Sequence, residues 1–259
     1  MSSLARHGIK ALVFALANVL ATGICHAAIT PLTPQQCQRM QEKKTIRTDN
    51  PVPCERLTQV SFAYSDFHGK RHENGLMVVL DALAPQVQQI FDTLLARGFA
   101  LQQAVPMENF AGDDQASMQA NNSSAFNGRA ITGGNEWSKH AYGVAIDINP
   151  RQNPYRSHNS LLPAAGAAYA VRTPLRPGMA ENVKDVFFRH GFLVWGGNWH
   201  EPTDYQHFEI GSRAFIATLL ALPPSSARQL FTAYAASYSS CRQANPGNSA
   251  DACARQSRR

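Results

Sequence analysis

Beyond residue 28 the chain has no apolar run long enough to span a bilayer, and its cysteines show no CxxC spacing. The first absence excludes a transmembrane helix in the body of the protein, and the second argues against a zinc ribbon. Only 16% of the residues are charged, and Lys and Arg do not cluster on any element that reads as a nucleic-acid reader, which excludes nucleic acid as the partner. No internal repeat or low-complexity block is present, which excludes a solenoid. A regular βαβ rhythm is also missing, so the mixed strand and helix signals point to an α+β fold. With 259 residues and 44% hydrophobic composition, the chain is expected to build a packed core.

The first 28 residues read apart from the rest. Arg6 and Lys10 form a basic start, "ALVFALANVLATGI" is apolar but short, and "CHAA" offers small residues for cleavage after Ala27 or Ala28. Ile24 precedes Cys25, where lipid attachment wants a small residue. A secretory signal is therefore expected, and with it an exported protein, periplasmic or extracellular. Its removal takes two cations and no acid, lowering the formal charge from +6 to +4. Cys25 leaves with it, and the other four of the five cysteines remain. They allow three connectivities. An oxidising compartment and the pinning of two polar end segments favour the local pairs, Cys37 with Cys54 and Cys241 with Cys253.

The expected organisation is a signal over 1–28, a polar arm over 29–56, one catalytic-type domain over 57–222 and an extension over 223–259. The terminal "CARQSRR" reads as a solvated, disordered tail. Strands are expected at "LTQVSFAYSDF", "GLMVVLD" and "FALQQAVPM". Between the last two, Val87, Ile90, Phe91, Leu94 and Leu95 fall at helical spacing with Gly98 as a stop. A polar stretch follows, "NFAGDDQASMQANNSSAFNGRAITGGNEW", of a length more often functional than idle. Short helices are expected at "ENVKDVFFRHGF" and "SRAFIATLLAL".

The chemistry concentrates in two strands. In "GVAIDI" the pleat sends Val144, Ile146 and Ile148 to one face and Ala145 with Asp147 to the other. In "DYQHFEI" it sends Phe208 and Ile210 inward and His207 with Glu209 outward. A carboxylate inside an apolar strand costs several kcal/mol without a positive partner. His140 precedes its strand by one turn, and two imidazoles with one carboxylate suit a catalytic zinc that keeps an open position for water. Taken singly, each of the three has an ordinary structural reading: a loop histidine, a salt-bridge aspartate, a core histidine.

"SKHAYGVAID" matches the pattern SxHxxGxAxD and "DYQHFE" matches [DE]xxHFE, separated by "WGG". In this the chain resembles the D-alanyl-D-alanine carboxypeptidase family of zinc peptidases, from about Leu57 to Phe215. The resemblance implies a single domain with a small antiparallel sheet carrying the zinc site, flanked by helices, as in the related hedgehog fold. It implies one Zn²⁺ held by His140, Asp147 and His207, with Asp204 as general base. It further implies Arg129 as the cation that binds substrate or steadies an oxyanion, and Ser138 at the motif serine.

Glu209 stands equally as an acceptor that orients an imidazole or as an exposed strand glutamate. Trp195 and Trp199 stand equally as cleft walls or core, and Trp199 is taken as substrate-binding. His68, His72, His158, His190 and His200 have no motif support. Asp at position 204 together with "VWGGNW" resembles the L-alanyl-D-glutamate endopeptidase branch, so the implied substrate is a peptidoglycan stem peptide, acted on by a monomer. Cleavage at a terminal D-Ala-D-Ala, or an inactive cell-wall-binding protein on the same fold, are the alternatives.

Overall fold

The computed structural model describes residues 28–258, so the expected signal lies, but for Ala28, outside the described residues. Strand β1, Ala28–Pro31, pairs antiparallel with β2, Leu57–Ser65, setting Ala28 opposite Ser61. The segment read as a polar arm thus adds an edge to a sheet. Helix α1, Pro34–Glu42, follows, opened by a capping box in which Thr33 and Gln36 satisfy each other's backbone N–H groups. A disulfide joins Cys37 in α1 to Cys54 just before β2.

Strands β2, Leu57–Ser65, and β3, Arg71–Leu80, form an antiparallel pair, and β2 alternates buried and half-buried positions along its length. Helix α2, Ala84–Ala96, lies against β2 and buries Val87, Ile90, Phe91 and Leu94, while Leu95 stays half-buried at the edge of the stripe. Phe91 stacks on Phe62 of β2 with ring centroids 3.8 Å apart.

The expected third strand shrinks to β4, Gln103–Ala104. Pro106 lacks the N–H that a longer ladder would need. The polar stretch that follows is not one open loop. It contains helix α3, Asp114–Gln119, capped by Asp113, and strand β5, Asn122–Ser123, parallel to β4.

Strand β6 is Ala145–Asp147, and the hairpin of β7, Tyr155–Ser157, and β8, Ser160–Leu162, follows. Helix α4, Lys184–Arg189, leads into β9, Val194–Trp195; β10 is Thr203–Asp204 and β11 is His207–Glu209. Two further three-stranded sheets result, ordered β6-β11-β9 and β10-β7-β8. Helix α5, Arg213–Ala221, is capped by Ser212.

The segment after residue 222 folds back on the body. Helix α6, Pro224–Ala244, buries Phe231, Tyr234, Ala235 and Tyr238, and Tyr238 meets Phe188 of α4 edge-on. The tail expected to be disordered is instead helix α7, Ala250–Ser257, tied to α6 by the Cys241–Cys253 disulfide. Cys253 and Ala254 are fully buried, and Arg258 Nε donates to Leu193 O at 3.0 Å. Burial of these two small residues and the crosslink outweigh the solvation of the basic ends. One apolar cluster runs from Met40 to Ala254, giving a single α+β domain of small antiparallel sheets flanked by helices.

Candidate metal centre and its cleft

His140 sits on a short 3-10 turn, Lys139–Tyr142, whose start is capped by Ser138: the hydroxyl accepts from His140 N at 3.3 Å. Gly143 ends the turn at φ +67°, and a Cβ there would fall 2.6 Å from Leu80 N. The glycine therefore supplies both the left-handed conformation and the close approach to β3. Leu80 N–H donates to Gly143 O at 2.9 Å and locks the turn to the sheet.

From this turn the chain enters β6, which pairs with β11 so that His207 stands directly opposite Asp147 and Phe208 opposite Ile146. Val144, Ile146, Ile148, Phe208 and Ile210 are fully buried on the inner face, as the alternation requires. Phe187 of α4 stacks on Phe208 at 3.9 Å between centroids. Asp147 N and O exchange hydrogen bonds with Ser124 at 2.8 and 2.9 Å, so its backbone is held on the side away from β11 as well.

Three donor atoms converge on the outer face. His140 Nε2 lies 3.2 Å from His207 Nδ1 and 3.2 Å from Asp147 Oδ2, and His207 Nδ1 lies 3.0 Å from Asp147 Oδ1. Ligand atoms about 2.1 Å from a tetrahedral zinc are separated by about 3.4 Å. The two imidazole nitrogens and the edge of the Asp147 carboxylate are therefore spaced much as the ligands of one such site, with a ligand atom of each residue within 4.8 Å of the others, and all three residues are buried. The far nitrogens are also engaged. His140 Nδ1 faces Ala125 O at 2.5 Å and His207 Nε2 faces Glu209 Oε2 at 3.0 Å. Each acceptor takes the N–H and leaves the other nitrogen's lone pair facing the shared point, an arrangement common around metal-bound histidines. Two imidazoles and one carboxylate with these outer partners fit a catalytic zinc.

The electrostatics agree with a cation at that point. Burial works against the Asp147 carboxylate, but the charges and hydrogen bonds of His140 and His207 hold it well below the usual carboxylate range. Burial works against the charged His207 ring too. The hydrogen bonds and charges of Asp147 and Glu209 nevertheless push it up to about 10, so the pocket draws positive charge strongly. Glu209 is opposed by burial and held low by His207 and Lys139.

Asp204 arrives from a different sheet. β10 pairs with β7, Asp204 opposite Tyr155, and the turn at Tyr205 and Gln206 carries the chain back into β11. A Cβ on Gly196 would lie 2.5 Å from Asp204 O, so the "WGG" glycine is what lets this strand pass. Asp204 Oδ1 is buried without a hydrogen-bond partner. Its pKa is raised to about 7, first by burial and then by the Asp147 charge, with His207, His140 and Gln206 opposing.

A cleft of about 320 Å³ is lined by the three donor residues together with Asp204, Arg129, Ser138, Trp199 and Glu209. All eight sequence-expected positions thus line one cavity. Arg129 Nη2 pairs with Asp114 at 2.8 Å and its buried Nε has no partner. The two tryptophans part: Trp199 lines the cleft with its ring 5.4 Å from that of His207, whereas Trp195 is core and donates to Tyr205 O. Among the histidines without motif support, His158 pairs with Glu201 and His72 with Asp66 outside the cleft, and His200 is exposed.

Two cleft residues escape sequence reading. Asp114 holds Arg129 from a helix hidden in the polar stretch, and only the DD pair capping that helix hinted at it. Lys139 reaches Glu209 Oε1 at 2.7 Å across a gap of 70 residues, which no local pattern records.

Neither a curated protein nor a solved structure matches the chain. A family does: residues 132–210 match the model of the D-alanyl-D-alanine carboxypeptidase family, and that segment holds His140, Asp147, His207 and Asp204. Over that segment the chain is similar to the D-alanyl-D-alanine carboxypeptidase family of zinc metallopeptidases.

Proposed function

We propose that this protein is exported and hydrolyses an amide bond in peptidoglycan stem peptides as an endopeptidase, acting as a monomer with one zinc held by His140, Asp147 and His207. The observation that carries the reading is the shared cleft: a zinc-compatible donor set, the half-buried Asp204 carboxylate and an arginine line one cavity. Two disulfides, and the lack among the described residues of a helix able to cross a membrane, are consistent with export.

Zinc, when bound, supplies Lewis acidity that acidifies water and polarises a carbonyl. Asp204, lining the same cleft as the donor residues, takes the proton of the attacking water and passes it to the leaving amine. Arg129 turns its guanidinium toward the cleft and the oxygen on which charge develops, and Asp114 fixes it through Nη2. The Ser138 hydroxyl keeps the His140 turn in shape and stands at the cleft wall. Trp199 provides a flat apolar surface for the peptide backbone.

A second reading is removal of the terminal D-Ala from D-Ala-D-Ala. It is favoured by the match to the D-alanyl-D-alanine carboxypeptidase family and by Arg129, whose fork also fits a free carboxylate. Mass spectrometry of defined muropeptides incubated with the mature protein tests both. Fragments split inside the stem support the endopeptidase, loss of one terminal alanine supports the carboxypeptidase, and no cleavage by folded, zinc-loaded protein removes both.

A further inference from the structure

The polar contacts around the donor triangle contain one residue to which the proposed chemistry gives no role. Lys139 immediately precedes His140 on the 3-10 turn, yet its side chain leaves that element and crosses to β11. There Nζ donates to Glu209 Oε1 at 2.7 Å and to Gly211 O at 2.8 Å. The other oxygen of the same carboxylate, Oε2, accepts from His207 Nε2 at 3.0 Å. Both partners of the ion pair are well shielded, with side-chain exposures of 15% and 12%. The backbone that carries one donor histidine is therefore braced, through one lysine and one carboxylate, to the ring of the other.

A carboxylate with one oxygen unpartnered could swing about its last torsion, and the His207 ring would lose the acceptor that selects its tautomer. With Oε1 held by Lys139, Oε2 has one place to be. We propose that Lys139 is a positioning residue of the metal centre: it anchors the Glu209 carboxylate against His207 Nε2–H and so fixes the ring orientation that presents Nδ1 to the metal.

The sign of the effect separates this role from simple charge. An ammonium near a divalent cation repels it, so if Lys139 acted only through its charge, removing it would tighten zinc binding. A brace predicts the reverse. Loss of an outer partner of a metal-bound histidine weakens binding by about 10- to 100-fold.

The inference rests on His207 being a zinc ligand, and the test keeps the two apart. Zinc affinity is measured by chelator competition, with no peptide substrate, for the wild-type chain, Lys139→Met, Lys139→Arg, Glu209→Gln and the Lys139→Met/Glu209→Gln double variant. Thermal unfolding of each metal-free protein is recorded alongside. Lys139→Met and Glu209→Gln are expected to lose about tenfold or more in affinity, the double variant to lose no more than the worse single, and Lys139→Arg to stay within about threefold of wild type.

Lys139→Gln replaces Lys139→Met in the same comparison if the latter does not fold. Unchanged or tighter zinc binding on removal of the lysine overturns the proposal, as does an equal loss in Lys139→Arg. If the wild-type chain itself binds no zinc, the metal centre fails first and the role of Lys139 with it.

Discussion

In the β1-β2-β3 sheet the two main strands run nine and ten residues, and α2 seals one face with a periodic apolar stripe. In the β6-β11-β9 sheet the strands have three, three and two residues. Strands that short cannot hold a register by their own ladder. They are held from beneath by Ile146 and Phe208 packed on Phe187, and at their edges by Ser124 and the Gly143 turn. The long sheet generates stability and the short one spends it on exposing polar groups. Half-buried Asp204, with its Oδ1 buried and unpartnered, is the clearest such expense. The two regions should therefore answer differently to mutation.

The largest expected effect is on the short side. Asp204→Ala should lower hydrolysis by about 10²- to 10⁴-fold while leaving the unfolding midpoint of the metal-free protein unchanged or higher, because a carboxylate with one buried, unpartnered oxygen is removed. Rate assays paired with thermal scans check both halves, and a large loss of stability would blur the distinction drawn here. On the long side, Phe91→Ala should cost about 3–5 kcal/mol in denaturant unfolding by opening the stack on Phe62.

Next in size is the metal. Stripping zinc from protein kept in free zinc at about 100 times the dissociation constant should lower stability by about 3 kcal/mol, and His140→Ala should show no such dependence. The smallest effect returns to the scaffold. His190, between α4 and Gln86 of α2, has its pKa lowered to about 4 by burial and by the Arg189 charge. The unfolded chain binds its proton near 6.5, so between these values the unfolded state holds more protons and stability falls as the pH falls. Discounted for partial exposure, the loss from pH 7 to 4 is about 1–2 kcal/mol, and His190→Leu should flatten that part of the profile.

The same contrast governs what the sequence discloses. The α2 stripe and the alternations at Val144, Ile146 and Ile148 and at Phe208 and Ile210 are legible, because period and face follow from backbone geometry alone. So is the meeting of His140, Asp147 and His207, once two strands each carry polar groups on the non-core face. Helix α6 escapes notice because Phe231, Tyr234, Ala235 and Tyr238 have the right spacing but lie among Ala and Ser that read as a polar extension. The Lys139–Glu209 pair and the Arg129–Asp114 pair depend on contacts between distant elements, and no local pattern encodes them. Trp195 and Trp199 are indistinguishable in sequence; only the turn between them sends one inward and the other to the cleft.

The central claim is that strands too short to stand alone hold a single zinc site. Zinc content and titration of the purified mature protein test it most directly, with Asp147→Asn measured beside it. The account predicts one zinc per chain in the wild type and loss of stoichiometric binding in the variant, with the fold retained in both. A folded wild-type protein that takes up no zinc, or binds it equally well without the Asp147 carboxylate, would contradict it.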